Sequence, residues 1–482
     1  MQPLSWLFIT PFIASLIAFF FPIGSGHTQK RVAFFLSLIP LALLLIFHES
    51  WIGSDINLPW LAQLSVHFHL NIDSLSLIFL YLTAIVVPIS ILATNSEEMS
   101  SPNIFFGLVL LLEGLLIGFF TARDLVVFTV FYESMLIPLY FIINLWGGPG
   151  RHSAAIKFLV YMFAGSALLI ASILFLYTSS GTFSIDELVK TAGASKYAPW
   201  ILGFFLLAFA VKTPLFPFHA WLPDAYCQSS TSGTILLSAL LSKAGIYGIL
   251  RVALELFPDL MKEWSPFLIA LAIIGVFYGG FAAWAENDYK KLVAYSSLSH
   301  VNLILVGLFV WNTPAQWGGI IQAFNHGITI TGLFLVAGWL EQRIGSTHMG
   351  SISGLGQFLT RLCWLTLFFI LSSVALPGLN NFIGELMIFL GLFKYNPWLA
   401  GILGLTVILS IIYSLRWIQK MYFQEPNFFQ EKWVDIGAKE LLISLPLIFL
   451  IIWVGVYPAP LLNLAKPYAD QLQAETKVET TK

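Results

Sequence analysis

The sequence predicts an all-α polytopic membrane protein of about 14 transmembrane helices, with two inverted five-helix repeats and two broken helices. Three observations predict it. Of 482 residues, 58% are hydrophobic and only 10% charged, too few charges to cover a soluble surface of that size. Apolar runs of roughly 20 residues, the length that crosses a hydrocarbon core, recur along the chain. Two of these runs are interrupted by proline at matching places in the two halves, the pattern of transport folds built from inverted repeats.

Taken in order, the spans fall near 3–23, 31–48, 74–94, 104–122, 123–145, 154–177, 199–222, 232–254, 264–285, 290–311, 315–340, 361–391, 397–422 and 440–463. The first lacks a basic leader and a small-residue cleavage site, so it counts as a span and not as a signal peptide. The boundary between the fourth and fifth rests on the short turn Thr121–Asp124. Residues 49–73 form the longest connection. Its alternating Ser65-Val66-His67-Phe68-His69-Leu70 reads as one strand of a hairpin. His67 and His69 have no third ligand nearby, so the hairpin reading is preferred over a metal site. Beyond 464 the chain turns polar and reads as a frayed tail.

The seventh span contains Lys212-Thr213-Pro214 and Pro217, and the twelfth contains Pro377-Gly378. Proline removes an N–H and leaves carbonyls unbonded, which a membrane tolerates only beside protein or a wet cavity. Five spans separate the two breaks. This organises the chain into an N-terminal block 1–103, a first repeat 104–254, a second repeat 264–422, and a last helix with a polar tail, 423–482.

Lysine and arginine bias sets orientation. Twelve fall in the loops opposite the termini, among them Lys30, Arg31, Lys290, Lys291 and Lys432, against nine on the terminal side including the tail. Both termini are therefore expected outside, which is periplasmic for a bacterial inner membrane; a thylakoid or mitochondrial inner membrane is the less favoured setting.

Four charges sit deep in apolar runs: Glu133, Lys212, Lys243 and Glu385. Each costs at least ~2.5–3.5 kcal/mol there, so each is expected to face a polar interior and mark an ion or proton path. Lys212 and Glu133 are expected to form a bistable pair, close in one state and parted in another. Lys243 lies among Ser238, Ala239, Ser242, Gly245 and Gly248, small residues that admit water and neighbouring helices. His300 and His326 add groups that titrate near neutral pH and extend a wire towards Glu385, with Ser296, Asn302, Gln322, Asn325 and Thr329 to hold water. The alternative is a set of static interhelical anchors. It is disfavoured because leucine would pack a static bundle at less desolvation cost. Glu113 reads equally as part of the path or as a subunit contact. Lys157, Arg251, Glu341, Arg416 and Lys420 lie nearer span ends and are expected to snorkel. Arg361 to Glu385 is 24 residues, about 36 Å if helical throughout. That places Glu385 beyond the midplane towards the terminal side, as the exit acid.

Redox and nucleotide chemistry find no support within the chain. Cys227 and Cys363 are too few for an iron–sulfur cluster, and no GxGxxG follows a strand. A net charge of −2 argues against nucleic acid.

The stretches FYESMLIPLYFI, AFAVKTPLFPFHAWLPDA, LLSKAGIYGILR, KKLVAYSSLSH, NHGITITGLFLVAG and ALPGLNNFIGELMIF resemble the antiporter-like subunits of respiratory complex I (NADH-quinone oxidoreductase), the M type, or chain 4, above all. The resemblance runs from about residue 70 to 425. It implies a proton-translocating, non-redox membrane subunit driven by quinone reduction elsewhere, with no cofactor of its own and flavin and iron–sulfur clusters on partner subunits. Its neighbours would be other membrane subunits, antiporter-like ones in particular. By resemblance the proton carriers are Glu133, Lys212, Lys243, His300, His326 and Glu385, where Glu385 replaces the lysine usual in the other antiporter-like subunits. The chain also lacks the long lateral C-terminal helix typical of the L type. It departs from the family pattern at Tyr132, where tryptophan is common, and at Tyr226-Cys227-Gln228-Ser229-Ser230-Thr231. An Mrp-type cation/proton antiporter subunit is the alternative, and a membrane subunit of a hydrogenase or formate-linked complex is a third reading.

Overall fold

A computed structural model describes residues 2–21, 24–95, 99–426 and 433–479, with side chains through 472. Among the described residues, twelve helices are long and apolar enough to cross a membrane, and two shorter apolar helices correspond to the interrupted spans. The fourteen spans expected exceed the twelve full-length ones by those two. The last two residues of the expected first span and Lys432 of the orientation count lie outside the described residues.

The chain divides into two compact units. One comprises Met1–Thr213, Gln228–Ser265 and Leu464–Lys482, the other Pro214–Cys227 and Pro266–Asn463. In the first unit, α1 (Pro3–Phe20) and α2 (Gly26–Ile46) lead to strands β1 (Asp55–Leu61) and β2 (Val66–Asn71), paired antiparallel as the expected hairpin. His69 Nε2 meets Asp55 Oδ1 at 2.7 Å and His67 Nδ1 meets Asn57 Oδ1 at 2.8 Å, so both histidines fasten the hairpin. Helices α3 (Ser74–Leu92), α4 (Pro102–Thr121), α5 (Leu125–Trp146), α6 (Arg151–Ser180) and α7 (Ala198–Lys212) follow, then α8 (Thr231–Leu254). Asp73 and Asp124 cap α3 and α5 by accepting from Ser76 N and Val126 N. Such caps satisfy helix-end donors where little water reaches them.

Helix α8 is wholly buried, whereas most of α1 and α2 faces outward. The inner position suits its small residues, and it is not a regular α-helix. Five-residue-spaced turns at Leu237–Leu241 and Ile249–Leu254 flank the α-helical Ser242–Gly248 that carries Lys243. Such bulges shift side-chain register and often accompany function. A side chain at Gly245 would place Cβ 2.1 Å from Thr213 Oγ1 and 2.7 Å from Thr213 N, so glycine is required for α8 to touch the broken end of α7.

The second unit contains most of α9 (Pro258–Ala285), then α10 (Tyr289–Phe309), α11 (Thr313–Ile344), α12 (Thr360–Ser373), α13 (Asn380–Tyr395), α14 (Pro397–Phe423) and α15 (Ala438–Val456). The apolar stretch of helix α11 is buried throughout, while its C-terminal turn reaches the surface at Gln342. The interruption between α12 and α13 turns through Gly378, at φ +92°, a region open to glycine. Its carbonyl abuts Gly455 of α15, where a Cβ would come within 2.2 Å.

Two expectations require correction here. The tail is not frayed: α16 (Ala459–Glu479) is helical, and within the first unit Ala465, Tyr468, Ala469 and Leu472 are buried along one face. Its polar residues alternate at helical spacing with this narrow apolar stripe, which composition alone conceals. Arg251 does not snorkel either; it is 1% exposed and fully paired. Glu341 reaches Lys290, itself buried, at 2.8 Å, while Arg416 and Lys420 hold Asn287 at the end of their helix.

Candidate proton-path site

Within the first unit, Glu133 stands near the middle of α5, two residues before the helix loosens at Met135 and five before Pro138. Its carboxylate accepts a short hydrogen bond from Ser166 Oγ of α6, and Ser166 also bonds Met162 O at 2.9 Å. The other oxygen, Oε1, is buried without a hydrogen-bond partner among the described residues. The side chain is half-buried and borders an apolar cleft of about 510 Å³, lined also by Leu61, Val66, Val130, Ile173 and Phe183.

Lys212 ends α7, 2% exposed. Lys212 and Glu133, expected to be close in one state and parted in another, form no ion pair in this structure. The Lys212 Nζ donates to the carbonyl of Tyr132 at 2.7 Å and lies 3.0 Å from the centroid of the Tyr132 ring. The lysine thus docks on the residue next to Glu133, using a backbone acceptor and a π face that are present whatever the protonation of the acid. Sequence reasoning weighed charges only and missed Tyr132 as the acceptor.

Lys243, fully buried, donates to Ser238 O at 2.9 Å and Ser242 Oγ at 3.2 Å. Helical side chains lean towards the helix N-terminus, and here that aims the ammonium at the first bulge of α8. Glu113 on α4 is fully buried, and neither of its oxygens has a hydrogen-bond partner among the described residues.

In the second unit, His300 (α10) and Glu385 (α13) meet, with Nδ1 3.2 Å from Oε1. Gln322 of α11 donates to the same oxygen at 3.3 Å. His300 Nε2 stands 3.4 Å from Ser373 Oγ at the end of α12, and the His326 ring lies 5.8 Å from the His300 ring. Below them Asn380, Asn325, Thr329 and Ser372 interlock: Asn325 Nδ2 bonds Asn380 O at 2.7 Å and Ser372 Oγ bonds Asn380 Oδ1 at 2.8 Å. This network spans the break, so the freed backbone is tied to polar side chains as a membrane requires. Asn302 likewise donates to Pro214 O, a carbonyl at the other break, at 3.4 Å. The depth expected for Glu385 changes. It contacts His300, eleven residues after Tyr289 and nine before Phe309, so the carboxylate lies at mid-helix level. Residues 374–379 turn without the rise of a helix, and the length count had credited them with it.

The residues that sequence reasoning missed form a charge cluster at the hairpin end of the first unit. Arg251 Nη2 binds Asp73 Oδ2 at 2.7 Å, its Nη1 binds Glu255 Oε1 at 2.8 Å, and Arg123 Nη2 binds Asp73 Oδ2 at 3.0 Å. Asp73 lies just outside α3. Burial pushes its carboxyl up, but the Arg251 and Arg123 guanidiniums outweigh burial and hold it down at about 2. The i,i+4 spacing of Arg251 and Glu255 was the available signal; the pairing with Asp73, 178 residues away, left none.

Helices that bury carboxylates, amines and imidazoles among hydroxyls and amides define a class: membrane proteins that move protons or cations through their interior. Residues 122–412 match the family model described as NADH:quinone oxidoreductase/Mrp antiporter, TM, and the chain belongs to that family. It is 34% identical to NADH-quinone oxidoreductase subunit M of Pseudomonas aeruginosa, over 96% of each chain. A chain of respiratory complex I from Thermus thermophilus superposes with a TM-score of 0.88 at 32% identity, covering 98% of this chain and 99% of that one. A chain of the Mrp complex from Dietzia superposes at 0.90 with 20% identity, over 99% and 98%, which shows a shared fold.

Proposed function

We propose that this chain is the proton-translocating M-type membrane subunit of an NADH-quinone oxidoreductase. It would couple quinone reduction in other subunits to proton movement through Glu133, Lys212, Lys243, His300, His326 and Glu385. The observation that carries the reading is the His300–Glu385 contact at 3.2 Å, a titratable pair held by Gln322 and Ser373 beside a helix break. An imidazole and a carboxylate in contact can exchange a proton with little movement, and the break supplies polar backbone and side chains for water. Lysine is suited to the middle of the path because an ammonium can give up and regain a proton, which a guanidinium does not readily do.

In this reading Glu133 receives the proton and Lys212 responds to its charge through Tyr132. Lys243 carries it onward, the histidines relay it and Glu385 passes it out. The chain is organised as repeats 104–254 and 264–422, with an N-terminal block 1–103 and the segment 423–482 outside them. It sits in a bacterial inner membrane with both termini periplasmic, beside other antiporter-like subunits. No cofactor is assigned to it; flavin and iron–sulfur clusters belong to partner subunits. The full-length relationship at 34% identity supports complex I over an Mrp antiporter, whose superposed chain is 20% identical.

The test is Glu385→Gln in sealed vesicles. NADH oxidation should persist with a lowered proton-to-electron ratio. An unchanged ratio in the assembled complex removes Glu385 from the path.

A further inference from the structure

Along α8, Lys243, Tyr247, Arg251 and Glu255 recur at intervals of four, running from mid-span to the hairpin end. Such a seam could serve as a proton exit, but its hydrogen bonds work against that. Lys243 aims the other way, at Ser238 O. Tyr247 donates its hydroxyl proton to Phe120 O at 2.7 Å, a backbone carbonyl that cannot hand a proton on, and its other hydroxyl neighbour, Ser76 Oγ at 3.2 Å, is occupied by Arg251 Nη2 at 3.3 Å. The Tyr247 hydroxyl oxygen accepts from Arg251 Nε at 3.1 Å, and a guanidinium does not release its proton. Around Tyr247 the rings of Phe79, Phe119 and Phe120 close at centroid distances of 5.5, 5.4 and 5.1 Å. Beyond this collar stands Arg251, clamped by Asp73 and Glu255, with Arg123 on the same Asp73. Tyr468 of α16 bonds Leu250 O at 2.8 Å and lays its ring 5.6 Å from the Arg251 guanidinium carbon.

We propose that the Tyr247 aromatic collar and the Arg251–Asp73–Glu255–Arg123 clamp form a proton seal that closes Lys243 from the hairpin end of the unit. A layer of rings excludes a water file, as hydrophobic constrictions do in selective pores, and behind it the ion-paired guanidiniums of Arg251 and Arg123 fill the hydrogen-bonding positions with donors that do not release a proton. Arg251 carries no proton in the pumping cycle; it is a positioning residue. The seal gives the path its direction: a proton on Lys243 has no short route to the hairpin end and must leave by the remaining carriers. This inference rests on the proton-carrier reading of Lys243.

The test measures passive proton flux, without NADH, into vesicles holding the purified complex, using trapped pyranine and a potassium–valinomycin clamp after an acid jump. Arg251→Gln, and separately Phe120→Ala, should raise the flux roughly tenfold, the change given by a barrier lowered by about 1.4 kcal/mol. Adding Lys243→Leu to Arg251→Gln should return the flux to the parental level, because the leak passes through that lysine; a leak from disturbed packing would persist. Parental flux in both single variants overturns the seal, and so does a leak that survives Lys243→Leu. Should Arg251→Gln fail to assemble, Phe120→Ala with and without Lys243→Leu decides. Failure of the underlying reading shows elsewhere, as undiminished NADH-driven pumping by Lys243→Arg.

Discussion

The ammonium of Lys212 lies 2.7 Å from the carbonyl oxygen of Tyr132, the residue immediately before Glu133. Lysine and acid are thereby neighbours through a backbone acceptor and not through an ion pair. In this arrangement Lys212 need not travel far to feel the charge of Glu133. It also keeps a partner when Glu133 is neutral, so a change of protonation need not unseat it.

The first prediction concerns that acid. Glu133→Gln should assemble and lose most coupled proton transport, whereas Glu133→Asp should keep part of it with a shortened reach. Ser166→Ala removes the hydroxyl donor to the carboxylate and should lower pumping less than Glu133→Gln. Proton uptake by sealed vesicles, compared at equal amounts of assembled complex, checks the order.

The second concerns packing at the break. Gly245→Ala would drive a Cβ to 2.1 Å from Thr213 Oγ1. Overpacking of this kind costs about 1–3 kcal/mol, and here the strain falls on the residue after Lys212. The variant should show a lowered melting temperature in detergent and reduced pumping. Gly404→Ala, at a glycine with open space around it, should be neutral in both assays.

The third concerns pH. Asp73 has its carboxyl held down at about 2 in the folded protein against an ordinary value of 3.8. A depressed carboxylate stabilises fully above its unfolded value, and that contribution disappears as pH falls through the folded one. The loss amounts to about 2 kcal/mol. Asp73→Asn should therefore be less stable at neutral pH, and the gap to the parental protein should close between about pH 4 and pH 2. A gap independent of pH would contradict the assignment.

Much of this was legible in the sequence, because hydropathy and proline act locally. The spans, both breaks and the hairpin follow from residue patterns within twenty positions. The four charged candidates, Glu133, Lys212, Lys243 and Glu385, stood out because a charge in an apolar run is conspicuous, but their partners did not. Tyr132 offers Lys212 a carbonyl that every residue possesses, and Asp73 meets Arg251 from 178 residues away. Helix α16 escaped notice because a narrow stripe of Ala465, Tyr468, Ala469 and Leu472 is enough to bury it, and its polar remainder dominates composition.

The central claim is that a buried lysine, and not a fixed charge, carries the proton. The direct measurement is NADH-driven proton pumping by Lys243→Arg in sealed vesicles, with assembly verified by native mass. Arginine keeps the positive charge but, with a pKa above 12, does not give up its proton. The account predicts an assembled complex that pumps poorly. Pumping at the parental rate would contradict it and make Lys243 an electrostatic anchor.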